Sequence, residues 1–270
     1  MIFLNGTKVF TEILFPDGTC AARIDKNKLK DAYGNTTIKW LYDGDDEAMK
    51  LYYLVGHIRS CDKDAKITLF LPYIPNARMD REKEGDGKLF TLKYFAKFIN
   101  DLKFEKVIVN DAHSNVALAL IDRVKEVQPV SLNIKSIIMR GNINLAFYPD
   151  EGASKKYSEV LSGHAYRIGM KKRNWITAEI TGYEVMADKE EIEGKNILIV
   201  DDICSKGGTF YHAAKALKDK GANDVYLWVT HCENNIANGE LLKDDSPIKH
   251  IFTTNDILRI THPKITIFEV

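Results

Sequence analysis

The residues in this chain that are best suited to chemistry follow one short apolar run. Residues 197–200 read Ile-Leu-Ile-Val, which predicts a strand that is buried on both faces. Two carboxylates, Asp201 and Asp202, end this run, and a loop separates them from a helical pattern that begins at Phe210. The loop consists of Ser205, Lys206, Gly207, Gly208 and Thr209.

This order of residues predicts a site for a phosphorylated ribose. Adjacent glycines allow backbone N–H groups to converge on an anion, and the following helix adds the positive end of its dipole. Ionised carboxylates accept hydrogen bonds from ribose hydroxyls. The alternative is an ordinary strand, turn and helix in which the acidic pair is only a cap. The loop is not a Walker A loop, because its lysine precedes the glycines.

Other apolar runs place further polar residues at strand ends. Residues 67–71 and 107–109 are short apolar runs like residues 197–200, and each is followed by polar residues. Helical patterns separate these runs. The alternation predicts an α/β protein whose parallel sheets carry the functional residues at the carboxyl ends of their strands.

Composition limits the classes of protein to which the chain can belong. Its 270 residues suffice for one large or two ordinary α/β domains. Lys and Arg together number 38, as do Asp and Glu, so a net charge of zero favours neither nucleic acid nor membrane as a partner. No stretch reaches transmembrane length and the four scattered cysteines form no CxxC pair, so we expect a reduced, cytoplasmic protein.

Residues 197–209 resemble the fingerprint of the phosphoribosyltransferases (PRTs), and a wider set of segments is similar to a narrower family. That family is the ribose-phosphate diphosphokinases, also called phosphoribosyl pyrophosphate (PRPP) synthetases, of which this chain looks like a short, divergent and phage-type member. The matching segments are residues 15–19 (FPDGT), 72–81 (PYIPNARMDR), 111–114 (DAHS), 149–152 (PDEG) and 170–173 (MKKR).

The resemblance implies an α/β fold of two pseudo-symmetric PRT-type domains with parallel-sheet cores. We expect an N-terminal domain at residues 1–133 on the ATP and metal side. A C-terminal domain at residues 134–250 would hold the ribose phosphate and the catalytic loop. Residues 251–270 would return to the N-terminal domain.

The resemblance also implies the roles of individual residues. It assigns Mg²⁺ to His113 and Asp150, and catalysis to Lys171 and Arg173. It assigns ATP to Phe15, Asp17, Thr19, Arg78, Met79 and Asp80. The first three would complete the ATP site of a neighbouring subunit, so a homo-oligomer, a dimer or a hexamer, is expected. Without the resemblance, His113 would be interpreted as a core or surface histidine and residues 171–173 as a solvated charge run.

The implied reaction is transfer of the β,γ-diphosphate of ATP to the anomeric 1-hydroxyl of ribose 5-phosphate, which gives PRPP and AMP. The loop departs from the family pattern, because Ser205 and Lys206 stand where the family has Asp and Thr. This more positive loop leaves ADP-ribose open as the acceptor, a reaction that reconstitutes NAD in some phage-type members. Two functions of a different kind also stay open: a PRT that consumes PRPP, and a non-catalytic regulatory subunit of a PRPP synthetase.

Overall fold

The computed structural model describes residues 1–9, 15–19, 24, 34–82, 85, 87–173 and 180–270, and at residues 172, 173, 180 and 181 it describes only the backbone. The described chain forms two compact units, Met1–Val127 and Gln128–Val270. The boundary predicted between residues 133 and 134 falls inside a helix, Pro129–Gly141, and the structure divides the chain before that helix. The helix starts with a proline, whose fixed φ suits a first turn, so the second unit begins where this helix begins.

The described residues of the first unit form a six-stranded sheet. Its strands are β1 (Ile2–Leu4), β2 (Thr7–Lys8), β3 (Asn35–Trp40), β4 (Lys66–Phe70), β5 (Lys106–Asn110) and β6 (Val124–Val127). Its helices are α1 (Asp46–Cys61), α2 (Thr91–Asp101) and α3 (Asn115–Leu120). The strand order is β2-β1-β3-β4-β5-β6; β3 to β6 are parallel, and β1 is antiparallel to both of its neighbours. In α1, Leu51, Leu54 and Ile58 recur at helical spacing and are buried, so this face packs into the core.

The second unit contains a seven-stranded sheet. Its strands are β7 (Leu145–Tyr148), β8 (Tyr166–Arg173), β9 (Ile180–Met186), β10 (Ile197–Cys204), β11 (Val225–Cys232), β12 (His250–Thr254) and β13 (Ile265–Phe268). Its helices are α4 (Pro129–Gly141), α5 (Glu151–Tyr157), α6 (Lys189–Ile192) and α7 (Gly208–Asp219), with a short 3-10 helix at Asn234–Asn238. The order is β13-β12-β11-β10-β7-β8-β9, and among the described strands only β8 and β9 pair antiparallel.

The centre of this sheet is formed by β10 and β11, as the apolar run predicts. All eight residues of β11 are buried, as are the first four of β10, because helices cover both faces of a central parallel strand. The acidic pair does not end β10, however. Pairing with β11 continues through Cys204, which keeps the main chain extended past Asp201 and Asp202.

The position of the C-terminal residues also differs from the expectation. Residues 251–270 do not return to the first unit, because β12 and β13 pair in parallel with each other and β12 with β11. The α/β class with two mainly parallel sheets is confirmed. Within the described residues, no helix has the length and apolar character needed to cross a membrane.

Candidate active site

Three carboxylates lie at the carboxyl ends of two adjacent strands in the second unit. β7 and β10 are parallel neighbours, and their carboxyl ends therefore meet at the same edge of the sheet. Asp150 follows β7 by two residues, and Asp201 and Asp202 lie in the second half of β10. We call these three residues the acidic cluster.

Among the described side chains, two lysines contact the acidic cluster. Lys171 reaches it from β8, the other neighbour of β7, and its Nζ atom lies 2.8 Å from Asp150 Oδ2. Lys156 reaches it from α5, with Nζ 3.4 Å from Asp202 Oδ2. The sequence motif predicts that Lys171 belongs to the site. It does not predict this of Lys156, because a lysine inside a helical pattern is usually solvated and only the fold brings Lys156 to β10.

The pKa values of two of these carboxyls shift in opposite directions. Burial acts to raise the pKa of Asp150, but hydrogen bonds from Lys171 and from the backbone N–H of Ala153 outweigh burial and lower the pKa. Burial and the negative charges of Asp202 and Asp150 raise the pKa of Asp201 to about 8. Asp150 is therefore ionised at neutral pH, whereas Asp201 retains its proton until the pH approaches 8.

The start of α5 explains the orientation of Asp150. Its Oδ1 atom accepts a hydrogen bond from the backbone N–H of Ala153 at 2.9 Å and so caps the helix. Its Oδ2 atom is left to face Lys171. One carboxylate thus holds both a helix end and a cation.

Tyr183 supports the same end of β7, and the sequence motifs do not include it. Its hydroxyl donates to the backbone carbonyl of Pro149 at 2.7 Å. The ring crosses Gly169 on the paired strand β8, where an added Cβ would lie 2.1 Å from the Tyr183 hydroxyl. Burial raises the pKa of Tyr183, with further contributions from Asp150 and Asp201, so the phenol stays protonated. A glycine inside strand β8 is the one sequence signal for this close approach.

The predicted phosphate loop runs from the end of β10 into the 12-residue helix α7. Gly207 precedes the helix with φ 80°, a left-handed conformation that favours glycine, and an added Cβ there would lie 2.3 Å from the side chain of Leu241. The first backbone N–H groups of a helix have no intrahelical acceptor, so the start of α7 can donate to an anion. Lys206 is exposed at the tip of the loop.

Residues 233–241, which we call the backing segment, pack against this loop. The backbone N–H of Glu233 donates to the Cys204 carbonyl at 2.8 Å, and Asn235 Nδ2 donates to Ser205 Oγ at 3.0 Å. Gly239 lies so close that an added Cβ would be 1.9 Å from the Lys206 carbonyl oxygen. The sequence motif gives no indication of this contact.

In the first unit, two of the predicted segments meet. Ser114 follows His113 directly, and its hydroxyl donates to Asp80 Oδ2 at 2.7 Å. Arg81 also binds Asp80, and its hydrogen bond is the largest contribution that lowers the pKa of this carboxyl. Asp80 is therefore ionised and held beside the His113 segment, while Arg78 and His113 are exposed.

Residues 15–19 form a closed turn in the first unit. Phe15 N–H donates to the Thr19 carbonyl and Gly18 N–H to the Phe15 carbonyl, both at 2.8 Å. Asp17 Oδ1 accepts from the Thr19 hydroxyl at 2.7 Å and from its N–H at 2.9 Å. The Phe15 side chain is 53% exposed, so it does not belong to the core of the first unit.

The roles predicted for the site residues all stay predictions, and the contacts say least about Arg173 and the metal site. The side chain of Arg173 lies outside the described residues, although its backbone pairs with Ile180 in the β8–β9 hairpin. Within the described part of the chain, no three His, Cys, Asp or Glu side chains are grouped so that they alone could hold a metal ion. A magnesium site at His113 and Asp150 stays a prediction.

Comparisons with known proteins agree with the motifs. The family model of the phosphoribosyl synthetase-associated domain matches residues 181–266. A ribose-phosphate pyrophosphokinase of Pyrococcus abyssi is 26% identical over 94% of this chain and 86% of its own length, and one of Sulfolobus acidocaldarius is 29% identical over 95% and 87%. The crystal structure of phosphoribosylpyrophosphate synthetase from Mycobacterium smegmatis superposes with a TM-score of 0.75 at 19% identity, covering 97% of this chain and 86% of that one, a likeness of fold.

The fold and the acidic cluster with its glycine loop define a class, the α/β proteins with two PRT-type domains. Within this class, the chain is similar over most of its length to ribose-phosphate pyrophosphokinases, the family that the motifs indicate.

Proposed function

We propose that the protein transfers the β,γ-diphosphate of ATP to the anomeric hydroxyl of a 5-phosphorylated ribose and releases AMP. Ribose 5-phosphate is the acceptor that we rank first, with PRPP as product. The observation that carries the proposal is the acidic cluster, contacted by Lys156 and Lys171, on the strand that leads into the phosphate loop. The names of the relatives support the same reaction.

The ribose would bind along the second half of β10. The carboxyl oxygens of Asp201 and Asp202 suit two neighbouring ribose hydroxyls, which are donors, because a carboxyl that keeps its proton still has lone pairs that accept. The 5-phosphate would then reach the start of α7, three to seven residues further along the chain, where backbone N–H groups and hydroxyls of Ser205 and Thr209 can donate. This arrangement would fix the sugar at both ends and leave its anomeric hydroxyl for the reaction.

Lys171 and Arg173 would neutralise the charge that develops on the transferred diphosphate. In this structure Lys171 binds Asp150, so it must leave that carboxylate to reach a phosphate. Asp150 suits the role of a magnesium ligand, because its half-exposed side chain already holds a cation through Oδ2 and this ion prefers oxygen donors. Mg²⁺ held there would supply charge neutralisation of the ATP phosphates.

The ATP side is proposed to lie in the first unit. Arg78 is exposed and its planar guanidinium suits an adenine face, with Met79 and Asp80 beside it. The turn of Phe15, Asp17 and Thr19 would complete this site in a neighbouring subunit of a homo-oligomer.

ADP-ribose is the second candidate acceptor, and one observation favours it. Lys206 is exposed at the tip of the loop, where its cation could meet a second phosphate that continues beyond the first. Such an acceptor would yield ADP-ribose 1-pyrophosphate.

The deciding experiment incubates the protein with Mg-ATP and either ribose 5-phosphate or ADP-ribose, and identifies the nucleotide product. AMP with ribose 5-phosphate supports the proposal, and a large preference in kcat/KM for ADP-ribose reverses our ranking. Release of ADP, or no turnover with any ribose acceptor, contradicts the proposed reaction.

A further inference from the structure

A chain of three polar side chains ends at the phosphate loop. Asn238 Nδ2 donates to Asn235 Oδ1 at 3.0 Å, and Asn235 Nδ2 donates to Ser205 Oγ at 3.0 Å. Asn235 and Ser205 are both half-buried, whereas Asn238 is exposed at the end of the 3-10 helix. None of the three belongs to the acidic cluster.

The direction of these hydrogen bonds determines what Ser205 can do. A serine hydroxyl has one proton to donate and two lone pairs to accept with. Because Asn238 occupies the carbonyl end of the Asn235 amide, the NH₂ end faces Ser205. An amide NH₂ group donates and does not accept, so the Ser205 proton has to point to another acceptor.

The loop is held firmly enough for this direction to matter. The carbonyl of Cys204, just before Ser205, is bound by Glu233, and Gly239 packs against the carbonyl of Lys206, just after it. The backbone on both sides of Ser205 is thus held by the backing segment, and the Ser205 hydroxyl is held by Asn235.

We propose that Asn235, oriented by Asn238, is a positioning residue that makes the Ser205 hydroxyl a hydrogen-bond donor to the 5-phosphate of the acceptor. Phosphate oxygens only accept hydrogen bonds. The Ser205 hydroxyl accepts from Asn235, so its own proton is available to donate to a phosphate oxygen. This inference rests on the proposed function and adds a specificity: the loop selects a ligand group that needs donors alone.

The test measures the dissociation constant of ribose 5-phosphate, and separately of ADP-ribose, by calorimetry without ATP. Asn235→Ala should weaken binding about three- to tenfold, the range of one neutral hydrogen bond, and Asn238→Ala should weaken it less. The matched control is Asn234→Ala on the same short helix, because the Asn234 side chain accepts from the backbone of Arg259 and not from the loop. The control should leave acceptor binding unchanged, and ATP binding should be unchanged in all three variants.

A double-mutant cycle with Ser205→Ala separates positioning from structure. If Asn235 acts through the Ser205 hydroxyl, adding Asn235→Ala to Ser205→Ala causes no further loss of affinity. Equal losses in both backgrounds, or no loss in Asn235→Ala, overturn the proposal while the proposed function stands. If the unaltered protein binds neither acceptor, the acceptor site and this proposal both fail.

Discussion

At the scale of single residues, the site depends on the electrostatic interactions between lysines and closely spaced carboxyl groups. Lys171 binds Asp150 in the same cluster where burial and two neighbouring carboxylates keep a proton on Asp201. In the roles that we propose, Lys171 must leave Asp150 to reach a phosphate, whereas Asp201 keeps its position to bind the ribose.

Lys171→Ala should lower kcat by roughly a hundredfold, because a cation that meets charge only in the transition state contributes to the rate more than to binding. The control is Lys155→Ala. Lys155 pairs with Glu151 on the exposed side of α5 and has no contact with the acidic cluster in the described structure. Steady-state kinetics with both substrates varied would check the prediction. A change confined to KM would make Lys171 an ordinary binding residue.

Asp201→Asn should stabilise the ligand-free protein while it removes activity. A carboxyl whose pKa is raised to about 8 in the folded state binds a proton more tightly than in the unfolded state, where its pKa is near 3.8. Its contribution to stability is therefore full below pH 4 and is lost as the pH rises toward 8. Asparagine cannot ionise and avoids this loss.

The difference between Asp201→Asn and the unaltered protein should reach roughly 1–3 kcal/mol in the free energy of unfolding at pH 8. It should be smaller at pH 5. Denaturant unfolding at both pH values checks this. A stability difference that does not grow with pH would mean that Asp201 is ionised as readily in the folded protein as in the unfolded chain.

At the scale of secondary-structure elements, the phosphate loop takes its shape from the backing segment and not from its own residues alone. Gly239 contacts Lys206 through the backbone, and this leaves no room for a side chain at residue 239. The site thus depends on a stretch that starts 24 residues after Thr209 in the sequence.

Gly239→Ala should lower the free energy of unfolding by roughly 1–3 kcal/mol, because the added methyl group forces the backbone of the loop to shift. It should also raise KM for the acceptor and leave KM for ATP unchanged. Gly56→Ala is the control: it lies inside α1, its added Cβ meets nothing within 4 Å, and it should stabilise the protein by about 0.5–1 kcal/mol. An unaltered acceptor KM in Gly239→Ala would mean that the loop does not hold the acceptor.

These elements can be predicted from sequence to the extent that they depend on residues near one another in the chain. The run of residues 197–200 predicts a central strand because burial on both faces demands continuous apolar residues. The same pattern could not show that β10 continues to Cys204, since that depends on pairing with β11. Likewise Lys156, Tyr183 and Asn235 join the site through tertiary contacts that no short motif records.

At the scale of the whole molecule, local signals are weakest. Residues 251–270 carry an apolar pattern that fits any parallel sheet, and only long-range pairing assigns β12 and β13 to the second unit. The same limit applies to assembly. Phe15 is 53% exposed on a turn that is closed by its own hydrogen bonds. Because the turn is already ordered, covering this aromatic ring would cost little backbone conformational entropy. This is the feature that we expect a second copy of the chain to cover.

If the turn at residues 15–19 completes the ATP site of a neighbouring subunit, two inactive variants should restore each other when they are mixed. Asp17→Ala would weaken the turn, because Asp17 holds Thr19 through both its hydroxyl and its N–H. Lys171→Ala keeps the turn intact and lacks the catalytic cation. In a dimer that combines the two, one site has both an intact turn and an intact lysine. Random exchange of equal amounts should therefore recover about a quarter of the original activity.

Activity that stays at the sum of the two separate variants after subunit exchange would show that each chain uses its own turn, or acts as a monomer. Light scattering at the assay concentration distinguishes these two results, since only a chain that uses its own turn within an oligomer scatters as more than one copy.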